Sequence, residues 1–88
     1  MLSLLELTKL RLGISSPVRD EFIGAINNGV IKEMSRVHGL EIDLSDQEHL
    51  MFVADLSAWR YSNEGYSHLP PYLRLRLNNL ILRYEKSQ

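Results

Sequence analysis

The chain has 88 residues, 44% hydrophobic and 24% charged, a balance that fits one packed globular domain and excludes a disordered acidic or basic tail. Ten Lys and Arg against eleven Asp and Glu leave a formal charge of −1, so no global field draws the protein to DNA or anionic lipid. Cysteine is absent, which removes thiol catalysis, disulfides and thiolate metal sites. A domain of this size hides only about 60–65% of the surface its unfolded chain exposes, so oligomerisation is a natural source of further stability. The longest uninterrupted apolar run, residues 50–54, falls far short of the roughly 20 residues needed to cross a bilayer. The opening Met-Leu-Ser-Leu-Leu-Glu has no basic region and carries Glu6 where a signal peptide would be apolar. The chain is therefore expected to stay in the compartment where it is made.

Four helices follow in chain order. Ser3 and Glu6 have capping-box spacing, and the series Leu4, Leu5, Leu7, Leu10, Leu12 ends at Gly13, a residue suited to the position just past a helix. Ser16 and Pro17 then supply an N-cap and a first-turn proline. Beyond them Phe22, Ile23, Ile26, Val30, Met34 and Val37 recur at three- and four-residue steps until Gly39. Projected on a helix, these six fall within an arc of about 120°, the width of a stripe lying on a core. Asn28-Gly29 resembles a hairpin turn, but the adjacent pairs Phe22-Ile23 and Val30-Ile31 break the alternation a strand needs. Gly24, Ala25, Asn28 and Gly29 are small residues that either admit a closely crossing helix or are simply tolerated there.

Residues 40–44 read as an extended connector. Ser45 and Glu48 form a second capping box, with Asp46 and Glu48 against the positive end of the helix dipole. The run that follows is apolar on nearly every side, interrupted by Asp55 and Arg60, which marks the central element. Phe52, Leu56 and Trp59 point one way along it; Leu50, Val53 and Tyr61 point another. Ser62-Asn63-Glu64-Gly65 is turn chemistry, and Pro70-Pro71 opens a final helix over 71–84. Its main apolar face is Leu73, Leu77, Leu80, Ile81 and Tyr84. The expected architecture is an all-α single domain, residues 1–88, of a short, a long, a central and a C-terminal helix. Its core is expected to hold Phe22, Ile26, Val30, Val53, Leu56, Trp59, Tyr61, Leu73, Leu77 and Leu80.

The last helix carries a second face. Leu75 and Leu82 lie nearly opposite the first, beside a stripe of Arg76, Asn79, Arg83 and Lys86. These are either scattered surface leucines next to solvated charges or a contact with a second polypeptide. Chemistry for catalysis is not visible. His38, His49 and His68 lack the i, i+4 spacing of a helical metal site. Capping already accounts for Asp46 and Glu48, and no nucleophile elbow, phosphate loop or dinucleotide fingerprint appears. Neither enzyme activity, a cofactor nor a metal is expected. A helix-turn-helix reading of the first two helices fails on the acidic first turn of Pro17-Val18-Arg19-Asp20-Glu21, which would repel phosphate.

The segment Val53-Ala54-Asp55-Leu56-Ser57-Ala58-Trp59-Arg60-Tyr61-Ser62-Asn63-Glu64-Gly65, followed by Pro70-Pro71-Tyr72-Leu73-Arg74-Leu75-Arg76-Leu77-Asn78-Asn79-Leu80, resembles the small head-to-tail connector (adaptor, or head completion) proteins of tailed bacteriophages and prophages. The resemblance spans residues 4–82 and is concentrated in the second half. It implies an all-helical structural subunit, assembled in the bacterial host cytoplasm into a ring of about twelve copies at the virion head-tail junction. Its partners would be the portal protein, neighbouring copies of itself and the next neck or tail protein, with genomic DNA passing non-specifically and no membrane contact. In that family the C-terminal helix commonly makes portal and neighbour contacts, which maps onto Leu75, Arg76, Asn79, Leu82, Arg83 and Lys86. The chain departs from many such proteins in having only residues 85–88 after Tyr84 and no N-terminal arm, so contacts could instead use residues 40–44 or the loop 62–69. Two other readings are a small helical adaptor or regulator binding one protein partner through its C-terminal helix, and a nucleic-acid binder.

Overall fold

A computed structural model describes residues 2–63 and 68–86. Four α-helices, α1 (Leu4–Leu12), α2 (Asp20–His38), α3 (Gln47–Ser62) and α4 (Pro71–Lys86), follow one another, with a 3-10 turn at Pro17–Arg19 leading into α2. Among the described residues there is no strand, so the fold is all-α, as the periodicity predicts. α3 packs against α1, α2 and α4, and α1 also packs on α2. The radius of gyration, 12.8 Å, is close to the roughly 12 Å expected of one compact unit of this length.

Local chemistry sets the helix ends. The Ser3 N–H donates to Glu6 Oε1 at 3.1 Å and the Glu6 N–H donates to Ser3 Oγ at 3.2 Å, which satisfies two N-terminal donors reciprocally. The bond from the Ser3 backbone, then that from its side chain, hold the Glu6 carboxyl below its ordinary pKa. Gly13 and Gly39 end α1 and α2 with φ of 72° and 65°, the left-handed conformation that glycine adopts without steric cost. The second capping box does not form, and the cap itself sits one residue later. Asp46, not Ser45, caps α3, accepting from the Glu48 N–H at 2.8 Å. Ser45 instead donates its hydroxyl to Asp43 at 2.6 Å. That bond, with one from the Ser45 backbone, lowers the Asp43 pKa.

The apolar core joins Val30 and Met34 of α2, Leu40 of the connector, Phe52, Val53 and Leu56 of α3, and Leu73, Leu77 and Leu80 of α4. Ile26 and Trp59 are partly buried against it. Leu40 is fully buried and Ile42 packs on the same cluster, so the connector is anchored rather than a free arm. The expected core position of Phe22 is corrected: it is 48% exposed. The buried stripe of α2 is Ile23, Asn27, Val30 and Met34, turned by about 50° from the predicted one. α1 covers that side of α2, and polar partners there let Asn27 go inside. Leu10 shows the same effect on α1, standing outside while Thr8 is buried.

Thr8, Asn27 and Ser57 meet where α1, α2 and α3 converge. Asn27 Nδ2 donates to Thr8 Oγ1 at 3.0 Å and to Ser57 Oγ at 2.9 Å. The Thr8 hydroxyl donates in turn to the Leu4 carbonyl at 2.9 Å. Nearby, the Lys9 ammonium lies 2.7 Å from Asp20 Oδ1 and partners that buried oxygen.

Among the described residues no helix crosses closely at the small residues of α2. A Cβ at Gly24 or Gly29 would meet nothing within 4 Å, and Ala25, Asn28 and Gly29 are exposed. Gly24→Ala is accordingly expected to raise unfolding stability by about 1 kcal/mol, the helix-propensity difference, read as a higher urea midpoint. A lower midpoint would mean that the backbone at Gly24 is constrained by something other than space.

Candidate interaction surface

α4 presents two faces. Leu73, Leu77 and Leu80 enter the core, while Leu75 and Leu82 are 63% and 56% exposed. Tyr72 is exposed beside them, and Asn79 lies on the same side. Tyr72, Leu75, Asn79 and Leu82 recur at steps of three, four and three, so they form one ridge along the helix. Water contact along this ridge is unfavourable for the leucines, and nothing else in the described chain covers them.

The arginines predicted beside the leucines are engaged within the chain. Arg76 Nη1 lies 2.7 Å from Asp55 Oδ2, with its guanidinium 5.7 Å from the centre of the Phe52 ring. Arg11 of α1 holds the other Asp55 oxygen at 2.7 Å, so one largely buried carboxylate ties α1, α3 and α4 together. Arg83 pairs with Glu48 at the start of α3. Of the six residues singled out on α4, Leu75, Asn79, Leu82 and Lys86 are exposed, Arg83 is exposed but paired, and Arg76 is partly buried. The outer face is thus apolar and amide-bearing at its centre, with its arginines largely neutralised.

A second surface lies between α2 and α3. Phe22, Ile26, Gly29, Val30 and Tyr61 line a groove bordered by Glu33 and Arg60. The Phe22 and Tyr61 rings stand 5.8 Å apart at 57°, a tilted pair of the favourable kind. Arg19 Nη1 donates to the Tyr61 hydroxyl at 2.9 Å. Tyr61, expected in the core, is therefore a half-buried groove residue. Arg60 grips Glu33 through both nitrogens, at 2.5 and 2.8 Å. That hydrogen bond and the adjacent positive charge hold the Glu33 carboxyl below its ordinary pKa against the opposing effect of burial. A depressed folded-state pKa gives stability that is present above the unfolded value of about 4.3 and lost as pH falls through the folded value. Glu33→Gln should therefore lower the urea midpoint at pH 7 but match the parent protein near pH 3. An equal loss at both pH values would show that the ion pair is not its source.

Sequence reasoning misses this groove, because periodicity alone places Phe22 and Tyr61 inward. It misses the Asp55 centre too, since nothing local marks Arg11 and Arg76 as partners of one acid. Asn27 had a readable signal: a polar residue at four-three-four spacing with Ile23, Val30 and Met34. His49 Nδ1 accepts from the Asp43 N–H at 3.0 Å, and among the described residues no group of three or more His, Cys, Asp or Glu could hold a metal. No described helix is long and apolar enough to cross a membrane. The turn expected at 62–65 and the contact loop expected at 62–69 fall in part on residues 64–67, which lie outside the described residues. No protein-family model, curated protein or solved structure matches the chain.

Proposed function

We propose that this chain is a structural assembly subunit, a head-to-tail connector that joins copies of itself in a ring beneath the portal of a tailed bacteriophage. The observation that carries the assembly reading is the outer ridge of α4, where Leu75 and Leu82 face solvent on a helix whose other side already fills the core. The connector class rests on the resemblance of residues 53–65 and 70–80. Portal protein and the next neck or tail component are the further partners this reading supplies, and the ring would extend the DNA channel. A near-neutral total charge suits passage of a genome without trapping it through phosphate contacts.

Leu75→Asp combined with Leu82→Asp tests the reading. The double variant is expected to keep its helical circular dichroism and its monomeric mass, because both side chains are outside the core. It is also expected to lose association with itself and with portal rings, followed by mass measurement and electron microscopy. Assembly equal to that of the parent chain would refute the role of the ridge. A parent chain that forms only a one-to-one complex with an unrelated protein would favour the adaptor reading.

A further inference from the structure

We propose that the groove between α2 and α3 receives the outer ridge of α4 from a second copy of this chain, with the two helices antiparallel. This deepens the assembly reading and rests on it. The groove offers the exposed ring of Phe22 at one end and Gly29, where nothing lies within 4 Å of a Cβ position, further along. Phe22 and Gly29 are seven residues apart, as are Leu75 and Leu82, so both pairs span about 10.5 Å of helix axis. Leu82 then packs over Phe22 while Leu75 fills the open space above Gly29.

Charge selects the direction. The first turn of α2 holds Asp20 and Glu21, and its last turn holds Arg36 and His38. The free and paired bases that border the ridge of α4, Lys86 and Arg83, lie in its last turn, whereas Arg74 of the first turn and Glu85 of the last project about 90° away from the ridge. Parallel docking would set Arg83 and Lys86 against the basic end of α2. Antiparallel docking sets these two bases against Asp20 and Glu21 and also opposes the two helix dipoles favourably. Lys9 already neutralises Asp20, and Glu48 neutralises Arg83. Among the described residues neither Glu21 nor Lys86 has an ion-pair partner, and these two meet in the antiparallel arrangement. Ridge and groove are different surfaces, so each docked pair leaves one of each unused. Repeated contacts of that kind close into a ring or run on as a filament.

The absence of cysteine gives a clean cross-linking test. Gly29→Cys and Leu75→Cys are made as separate single variants, oxidised alone and as an equal mixture, and separated under denaturing, non-reducing conditions. The expected result is a covalent dimer in the mixture that neither variant yields alone. A chain carrying both substitutions should give a ladder of higher multimers. Glu21→Lys and Lys86→Glu should each raise the concentration at half-assembly by roughly threefold to fivefold, the effect of an exposed ion pair, and the two together should restore it. Self-linking of Leu75→Cys would overturn the proposal in favour of a symmetric α4 pair. So would the absence of a mixed dimer. In that case, sedimentation of the parent chain separates the two ideas: if it still associates, only the docking mode is wrong, and if it stays monomeric at every concentration and on portal rings, the assembly reading falls as well.

Discussion

Phe52→Ala is expected to destabilise the protein by about 3–5 kcal/mol, the largest loss from any single truncation of its core. Phe52 is fully buried in the middle of α3, the helix that meets the other three. Its ring is within the apolar cluster and also lies under the Arg76 guanidinium. Truncation therefore leaves a cavity that α2, α3 and α4 cannot all close, and it removes a surface on which the Arg76–Asp55 pair rests. Total stability for a chain of this length is roughly 4–13 kcal/mol, so a substantial unfolded fraction should appear at 37 °C. Urea unfolding followed by circular dichroism measures the change. Trp59→Ala should cost less, because Trp59 is only partly buried beside the cluster. If Trp59→Ala proves the more damaging, the centre of the core lies nearer the end of α3 than its middle.

The second large effect concerns a polar side chain. Asn27→Asp keeps the shape but replaces a donor with a carboxylate at a site only 3% exposed. The amide now donates to both Thr8 and Ser57, and a carboxylate cannot. Both hydroxyls would have to turn and donate, Thr8 giving up its bond to the Leu4 carbonyl, and this together with desolvation of a charge should cost about 3–4 kcal/mol at pH 7. The pH dependence has a definite sign. Burial raises the folded-state pKa of the new Asp above its unfolded value of about 3.9, so the folded form binds the proton more readily. Destabilisation is then smallest below the unfolded value and grows to its full extent as pH rises through the folded one. Urea midpoints at pH 4 and pH 7 test this, and a loss independent of pH would show that the aspartate is solvated by local opening.

Much of this fold is legible in the sequence because local chemistry and long periodicity agree. Ser3 with Glu6 starts α1 and the left-handed Gly13 and Gly39 end α1 and α2, all from interactions within a few residues. The two faces of α4 were readable for the same reason: Leu73, Leu77 and Leu80 project away from Leu75 and Leu82 on any helix. What periodicity does not fix is how a helix is turned about its axis when its apolar arc is wide. α2 has apolar residues across about 120°, and the choice between Phe22 and Asn27 as the inward residue depends on hydroxyls from Thr8 and Ser57, 19 and 30 residues away. The Asp55 centre has the same origin, drawing Arg11 and Arg76 from opposite ends of the chain. Ser45 failed as the cap for a shorter-range reason, since Asp43 captures its hydroxyl and Asp46 is left to receive the first amides of α3.

α4 meets the body chiefly through α3, with Asp55 and Glu48 as its electrostatic fastenings. Such a peripheral helix lifts away at lower free energy than the globule melts, so its amides should trade hydrogen for deuterium ahead of those of α3. A neighbour lying along its outer side would clamp it from above, slowing that trade and coupling subunit association to the tightening of the helix that makes it.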